Sequence, residues 1–176
     1  MMEKLSAKEF DQNYESVMEK FNFALQSVGK TREDVTLLAA TKTVDVDTIN
    51  YAISKGITHI GENKVQELLS KHDYLNAVTE HFIGHLQTNK VKDVIDKVSL
   101  VQSVDSIKLA REISKQAKKR EIVMDILLEV NIGKEESKWG FLPEEILNAV
   151  IEISTFDNLR ICGLMTIPPI CENEQT

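Results

Sequence analysis

Short apolar runs alternate along the chain with longer stretches in which apolar residues recur every three or four positions. The short runs are rich in β-branched residues and predict strands at 35–40, 57–60, 81–84, 98–104, 123–132 and 159–167. The longer stretches predict helices at 46–54, 64–71, 89–97, 106–119 and 143–154, with Pro143 in the first turn of the last one. An earlier amphipathic stretch predicts a helix over about 6–28, capped by Ser6 and ended by Gly29.

Strand–helix alternation of this kind predicts parallel βαβ units, and therefore an α/β fold. A doubly wound sheet usually carries a glycine-rich loop after its first strand, whereas here that turn reads "ATKTVDVD". A (β/α)8 TIM-barrel type fold is favoured, preceded by the N-terminal helix, although only about six of its eight strands are visible. We expect one barrel domain over 1–176 that is incomplete at its C-terminal end.

Composition restricts the class of partner. The chain has 176 residues and a net charge of −7, so nucleic acid is a poor partner. The basic cluster "KQAKKR" at 115–120 falls where a helix should end, and cations there complement the helix dipole. Cys162 lies in an apolar run and is expected in the core. We expect a soluble, cytoplasmic protein, since no apolar stretch has membrane-spanning length and the N-terminus lacks a signal-peptide core.

Polar residues collect at the predicted carboxyl ends of the strands, where barrel enzymes place their active sites. Lys42 is the most informative of them, because it follows a run, Val35–Thr41, that reads as buried on both faces. A half-buried amine at that point would favour the neutral form, a nucleophile suited to forming a Schiff base with an aldehyde. On composition alone, a surface lysine whose amine reaches solvent is the commoner explanation.

Metal and hydrolase sites have little support. His81 and His85 bracket the third strand, but no third ligand with metal spacing is evident. Ser103 and Asp105 lack a matching histidine and a nucleophile elbow. We therefore predict no metal site and no hydrolase triad.

Two further pairs of residues are best explained by structural roles. Glu62 and Glu129 could act together in acid–base chemistry, but hydrogen-bonded carboxylates in a barrel rim are the more common case. Trp139 and Phe141, in "ESKWGF", predict hydrophobic packing in a loop between a strand and a helix.

Six motifs occur together between Val35 and Pro169. They are "TKT", "GITHIGENKVQE", "HFIGHLQTNK", "VQSVDS", "LLEVNIGKEESKWGF" and "GLMTIPP". In this order and spacing they resemble the family of pyridoxal phosphate homeostasis proteins, the YggS or proline-synthase co-transcribed type.

The resemblance implies a fold-type III barrel, similar to the N-terminal domain of alanine racemase, that holds pyridoxal 5′-phosphate (PLP). It implies a covalent aldimine on Lys42, with Asn63 lining the cofactor pocket and Met165 near the ring. His85 stands where other members often carry a different residue, so no catalytic role is assigned to it.

The implied role is to bind and buffer PLP and deliver it to apo-enzymes, without robust catalysis. The alternative is an amino-acid racemase-like enzyme, which would need an acid–base residue opposite Lys42. The candidates Tyr14, Tyr51 and Tyr74 all lie in predicted helical stretches away from the rim. A third possibility is a remnant that works only through protein contacts and forms no aldimine.

Family members continue beyond "GLMTIPP" through two further strands whose turns hold the PLP phosphate, and this sequence has no counterpart of them. We therefore expect either weak PLP binding, through Lys42 and ring contacts alone, or binding only when another segment completes the site. Relatives are monomers, but the open edges of the first and sixth strands could drive association.

Overall fold

The computed structural model describes residues 6–169, in which helices and parallel strands alternate after an initial helix. The strands are β1 Leu38–Ala40, β2 His59–Glu62, β3 Thr79–Phe82, β4 Leu100–Val104, β5 Met124–Glu129 and β6 Leu159–Met165. The α-helices are α1 Ala7–Ser27, α2 Val46–Ser54, α3 Val65–Lys71, α4 Val91–Val94, α5 Ile107–Lys119 and α6 Ile146–Ile153. Short 3₁₀ helices cover His72–Tyr74 and Thr88–Lys90. These residues form two compact units that meet in sequence between Leu37 and Leu38.

The first unit consists of α1 and the turn that follows it. Ser6 caps the helix as predicted: its Oγ accepts a hydrogen bond from Glu9 N, and the Glu9 carboxylate accepts one from Ser6 N at 2.9 Å. This reciprocal pair satisfies two backbone donors that the first turn would leave free. Gly29 follows the helix with φ of 66°, a left-handed conformation that ends it.

The second unit is built on one parallel sheet whose strands lie in chain order, β1-β2-β3-β4-β5-β6. A doubly wound sheet would reverse direction at a switch point, whereas a barrel adds each strand beside the previous one. The order confirms the barrel-type prediction. Within residues 6–169, β1 pairs only with β2, and β6 pairs only with β5.

The hydrophobic core lies between this sheet and helices α3 to α6. Phe82, Val101 and Ile126 project from three neighbouring strands and are fully buried. Leu68 and Ile113 meet them from α3 and α5. Each fully buried side chain of this size contributes about 1.5–3 kcal/mol relative to an exposed one.

The opposite face of the sheet is more polar. Gln102 Nε2 lies 2.7 Å from His81 Nδ1, across β4 and β3. On the β5–β6 pair, Arg160 contacts the Asp125 carboxylate with two nitrogens, at 2.7 and 2.5 Å. Because successive side chains in a strand point to opposite faces, the residues between these polar positions face the core.

Three sequence expectations about individual residues were wrong. The run Val35–Thr41 is not a strand buried on both faces, because β1 spans only Leu38–Ala40 at an edge of the sheet and Ala40 is exposed. Cys162 is exposed, since it alternates with Ile161, which faces the core. Pro143 lies in a turn before α6, closed by a hydrogen bond from Leu142 N to the Glu145 carboxylate.

The other helix predictions agree with the structure to within a few residues. The basic cluster at 115–120 covers the last turn of α5, as expected, and Arg120 also donates to Lys92 O at 2.5 Å. None of the helices described here is long and apolar enough to cross a membrane.

Candidate functional site

The carboxyl ends of the six strands meet at one edge of the sheet, and the predicted site residues lie at three of these ends. Lys42 comes two residues after β1, Asn63 directly follows β2, and Met165 is the last residue of β6. Thr41 N donates to Gly61 O at 3.0 Å, so β1 and β2 stay in register up to Lys42 and Asn63. The structure therefore brings Lys42 and Asn63 to adjacent strand ends.

Lys42 is exposed rather than half-buried, because the edge strand before it has a neighbour on one side only among the described residues. The residues on either side of Lys42 are more constrained than its side chain is. Thr41 is buried, and Thr43 adopts φ of 63°, a left-handed conformation that is unusual for a β-branched residue. The amine thus extends toward solvent from a backbone segment with a specific, strained conformation.

A buried ion-pair network lies directly beneath this segment. Lys71, at the end of α3 and only 8% exposed, donates to Glu62 Oε1 at 2.7 Å, to Glu67 Oε2 at 3.0 Å and to Thr41 O at 3.0 Å. The three bonds use all the protons of its ammonium group. The buried lysine at this edge is therefore Lys71, and Lys42 agrees with the surface-lysine alternative.

Glu67 connects the same network to the other side of Lys42. Its Oε2 accepts a hydrogen bond from Thr43 N at 2.6 Å, in addition to the bond from Lys71. The hydrogen bond from the Thr43 amide, followed by that from Lys71, lowers the pKa of Glu67 below its usual range. Glu67 is therefore ionised at neutral pH and holds the left-handed turn at Thr43.

Asn63 carries a buried acceptor without a protein donor. Its Oδ1 has no hydrogen-bond partner within the described part of the chain. The backbone of Asn63 packs against Gly84, after β3, so closely that a Cβ on Gly84 would lie 2.2 Å from Asn63 O. Ser103 Oγ donates to Gly84 O at 2.5 Å and holds that glycine in place. Asn63 is thus fixed in position while one of its polar atoms stays unsatisfied.

Met165 lies on the edge strand farthest from Lys42 in the sheet order. It is half-buried and pairs with Glu129 across β5 and β6. The resemblance implies a place near the PLP ring for Met165, and its position at the carboxyl end of β6 puts it at the same edge of the sheet as Lys42 and Asn63, so that role stays a prediction.

A second cluster, which the sequence analysis missed, lies beyond the ends of β3 and β4. His85 Nδ1 is 2.8 Å from Asp105 Oδ2, and Ser106 Oγ donates to Asp105 Oδ1 at 2.9 Å. The expectation that Asp105 lacks a histidine partner was therefore wrong. Ser103 takes no part, because its hydroxyl is turned to Gly84 O. His85 lies beyond the end of β3 and Asp105 beyond the end of β4, so their spacing in sequence did not indicate that they would be in contact.

Trp139 covers the ring of His85. It is 58% exposed, and its indole contacts solvent and that imidazole. Phe141, in contrast, is buried in the core, as predicted for both aromatics. A cleft of about 560 Å³ opens beside His85, Asp105 and Trp139.

Glu62 and Glu129 do not form an acid–base pair. Glu62 accepts from Lys71 and from Thr41 Oγ1, so the alternative of a hydrogen-bonded rim carboxylate holds for it. Burial raises the pKa of Glu129, and the nearby charge of Asp105 raises it further. Across residues 6–169, no three His, Cys, Asp or Glu side chains converge as metal ligands.

Comparisons with known proteins agree with the barrel geometry. A family model described as the alanine racemase N-terminal domain matches residues 12–176. The chain is 42% identical over 161 residues to the pyridoxal phosphate homeostasis protein of Aquifex aeolicus (strain VF5), covering 90% of this chain and 71% of the relative.

Two solved structures are similar over most of the chain. The first, of an unknown protein from Bifidobacterium adolescentis, has a TM-score of 0.89 and 35% identity, covering 97% of this chain and 75% of the other. The second, PipY of Synechococcus elongatus PCC7942 with PLP bound, has a TM-score of 0.69 and 28% identity, covering 77% of this chain and 65% of the other.

Proposed function

The chain belongs to the alanine racemase N-terminal domain family and, within it, to the pyridoxal phosphate homeostasis proteins, and on that basis we propose that it binds PLP covalently through Lys42. The role is to hold and release the cofactor within the cell, in the cytoplasm, with apo-enzymes that need PLP as recipients. The relative with PLP bound in its structure supports the choice of ligand.

The observation that carries the proposal is the setting of Lys42. Its amine is exposed at the carboxyl edge of the sheet, and within residues 6–169 no acidic side chain pairs with it. The peptide groups on both sides are fixed by the Lys71–Glu67 network. An unpaired amine on a fixed backbone suits covalent attachment better than a flexible surface lysine does.

The residues near Lys42 fit a polar, aromatic ligand. Asn63 Oδ1 is a buried acceptor with no donor in the described protein, and leaving such an atom unsatisfied costs about 1–3 kcal/mol. A donor group of a bound ligand would relieve that cost. Met165 offers an apolar, polarizable contact at the end of β6, and we assign it to the ring side of the site.

PLP, when bound, supplies an aldehyde that condenses with a primary amine, releasing water, and a ring that withdraws electrons. Racemisation or transamination also requires protein groups that move protons on both sides of the substrate. Tyr51 lies on α2 and Tyr74 in a 3₁₀ helix, so neither follows a strand end. We therefore propose a carrier without robust turnover, built as one barrel domain with α1 as an N-terminal addition.

Borohydride reduction followed by peptide mapping tests the proposal directly. We expect the chain mixed with PLP to show a visible absorption band and, after reduction, an adduct on Lys42. Lys42→Ala should lose both, whereas Lys92→Ala, a change of another exposed lysine, should keep both. An adduct spread over many surface lysines, unchanged by Lys42→Ala, would contradict the proposal.

The racemase-like alternative has its own readout. Incubation of the PLP-loaded protein with L-alanine, followed by chiral chromatography, should give no more D-alanine than free PLP does. Fast interconversion that depends on Lys42 would replace the carrier role with an enzymatic one.

A further inference from the structure

We propose that Glu67 and Lys71 are positioning residues that fix the backbone on both sides of Lys42 and so set its rate of reaction with PLP. This inference rests on the proposed function, because it concerns the same lysine. Neither residue touches the Lys42 amine; each contacts a peptide group next to it.

Lys71 acts on the N-terminal side. Its ammonium donates to Thr41 O, the carbonyl that precedes Lys42, and it is held there by the carboxylates of Glu62 and Glu67. A buried ammonium needs such partners, because an unpaired charge in this environment is strongly unfavourable. Burial and full hydrogen bonding therefore give the Thr41 carbonyl one defined direction.

Glu67 acts on the C-terminal side. Thr43 N donates to Glu67 Oε2 at 2.6 Å, and Thr43 is the residue with φ of 63°. A β-branched residue does not adopt this conformation without compensating interactions, and strain of this type often occurs at functional sites. Among the described residues, the Glu67 carboxylate supplies the compensating interaction, because it accepts the hydrogen bond from Thr43 N.

Together the two contacts hold the peptide groups on both sides of Lys42. Thr41 Oγ1 adds a bond to Glu62 Oε1 at 2.9 Å, so the same carboxylate oxygen serves Thr41 and Lys71. The whole arrangement spans the end of β1, the end of β2 and α3. Such support from a second layer of residues is what a reactive group needs to keep its geometry.

The test compares two substitutions at Glu67. Glu67→Ala removes the acceptor for Thr43 N, whereas Glu67→Gln retains an amide oxygen that can accept the same hydrogen bond. We expect Glu67→Ala to slow PLP labelling of Lys42 about tenfold, and Glu67→Gln to keep it within about twofold of the wild-type rate. Labelling is followed by timed borohydride reduction and quantitative mapping, with the total amount of the Lys42 peptide, labelled and unlabelled, as the internal reference.

Glu112→Ala is the matched control. Glu112 is also a half-buried helical glutamate with a partner four residues later, Gln116, but it lies on α5. Its removal should leave the Lys42 rate unchanged. Amide hydrogen exchange of the peptide around Thr43 gives a second readout that needs no PLP, and only Glu67→Ala should accelerate it.

Three results would overturn the inference. Equal labelling of Lys42 in wild type and Glu67→Ala would overturn it while leaving the proposed function intact. A slower rate in Glu67→Ala accompanied by an equal loss in Glu67→Gln would assign Glu67 a structural role only. If wild-type Lys42 is not labelled selectively, the proposed function fails, and the inference with it.

Discussion

The imidazole ring of His85 stacks on the indole ring of Trp139, with ring centroids 3.8 Å apart and planes 14° from parallel. Asp105 orients the imidazole through the bond to Nδ1. The stack joins the end of β3 to the loop between β5 and α6. The stack adds an aromatic contact to a loop that hydrogen bonds also hold, among them the bond from Asn131 Nδ2 to Glu135 O at 2.8 Å.

Loss of this stack should be visible in tryptophan fluorescence, because Trp139 is the only tryptophan of the chain. We expect His85→Ala to shift the emission maximum to longer wavelength and to increase quenching by acrylamide, since the indole face becomes solvated. Gln87→Ala, in the same cleft, is the control and should change neither. Identical spectra for His85→Ala and wild type would show that the stack does not persist in solution.

Gly84→Ala should destabilise the second unit by about 2–3 kcal/mol, because overpacking forces backbone shifts. The added methyl would lie 2.2 Å from Asn63 O, and that atom belongs to the backbone and cannot rotate away. Urea unfolding measures the loss. We also expect weaker PLP labelling of Lys42, because Asn63 must move.

Gly133→Ala is the comparison for this substitution. A Cβ there would meet the Glu135 carboxylate at 3.2 Å, the far end of a flexible side chain. We expect a change of about 0.5 kcal/mol or less. Equal costs at Gly84 and Gly133 would mean that the contact with Asn63 is looser than the structure indicates.

Asn63→Leu should weaken PLP binding without lowering the stability of the fold. Because Asn63 Oδ1 has no partner among the described residues, an apolar side chain of similar size should leave the free energy of unfolding unchanged or raise it. PLP binding should weaken several-fold, as measured by the absorbance titration.

Asn50→Leu should behave in the opposite way. Asn50 Nδ2 donates to Tyr74 O at 3.0 Å, and its Oδ1 accepts from Asn76 N at 2.7 Å. Loss of both bonds should cost about 1–3 kcal/mol without changing PLP binding. If Asn63→Leu destabilises the chain as much as Asn50→Leu, Asn63 has a structural role instead.

His81 should make stability depend on pH. Burial, followed by the charge of His59, lowers the pKa of His81 from 6.5 to about 4. Between those values the unfolded chain binds the proton and the folded chain does not, so stability is lost as pH falls. We expect a loss of about 2 kcal/mol between about pH 7 and about pH 5 from this residue.

The measurement is urea unfolding of wild type and His81→Gln across that range. Glu80 and Glu129 act in the opposite direction, because burial raises the pKa of each and the folded state then binds their protons more readily. The difference between the two proteins isolates His81. A pH slope that His81→Gln leaves unchanged would mean that His81 titrates normally.

Much of the fold could be predicted from periodicity. Apolar residues recur with helical spacing along α2 and α5, and the apolar runs at β4 and β5 are typical of strands. The type of each of these elements could therefore be predicted. The alternation predicted parallel strands, because parallel neighbours need a crossover helix, whereas the barrel-type strand order was predicted from the absence of a glycine-rich loop after the first strand. The boundaries of β1 and α6 were less predictable. β1 is shorter than predicted because it lies at an exposed edge of the sheet, and α6 begins later than predicted because a turn closed by Glu145 precedes it.

The site was predictable only in part. Lys42 and Asn63 stand at adjacent strand ends, as parallel topology requires. That Lys71 is the buried lysine could not be deduced, because its partners at Thr41 and Glu62 are thirty and nine residues away in sequence, respectively. The Glu67–Lys71 spacing of four residues was an available signal, but it is usually explained by an exposed helical pair.

The sheet order has a consequence for synthesis of the protein. Each strand from β2 to β6 pairs with the strand that was made immediately before it. As the nascent chain leaves the ribosome, every new strand–helix unit therefore finds its hydrogen-bonding neighbour already available, with no need for a segment still to be translated. Pairing can proceed one unit at a time in the direction of translation, and the growing edge is covered as soon as the next unit emerges.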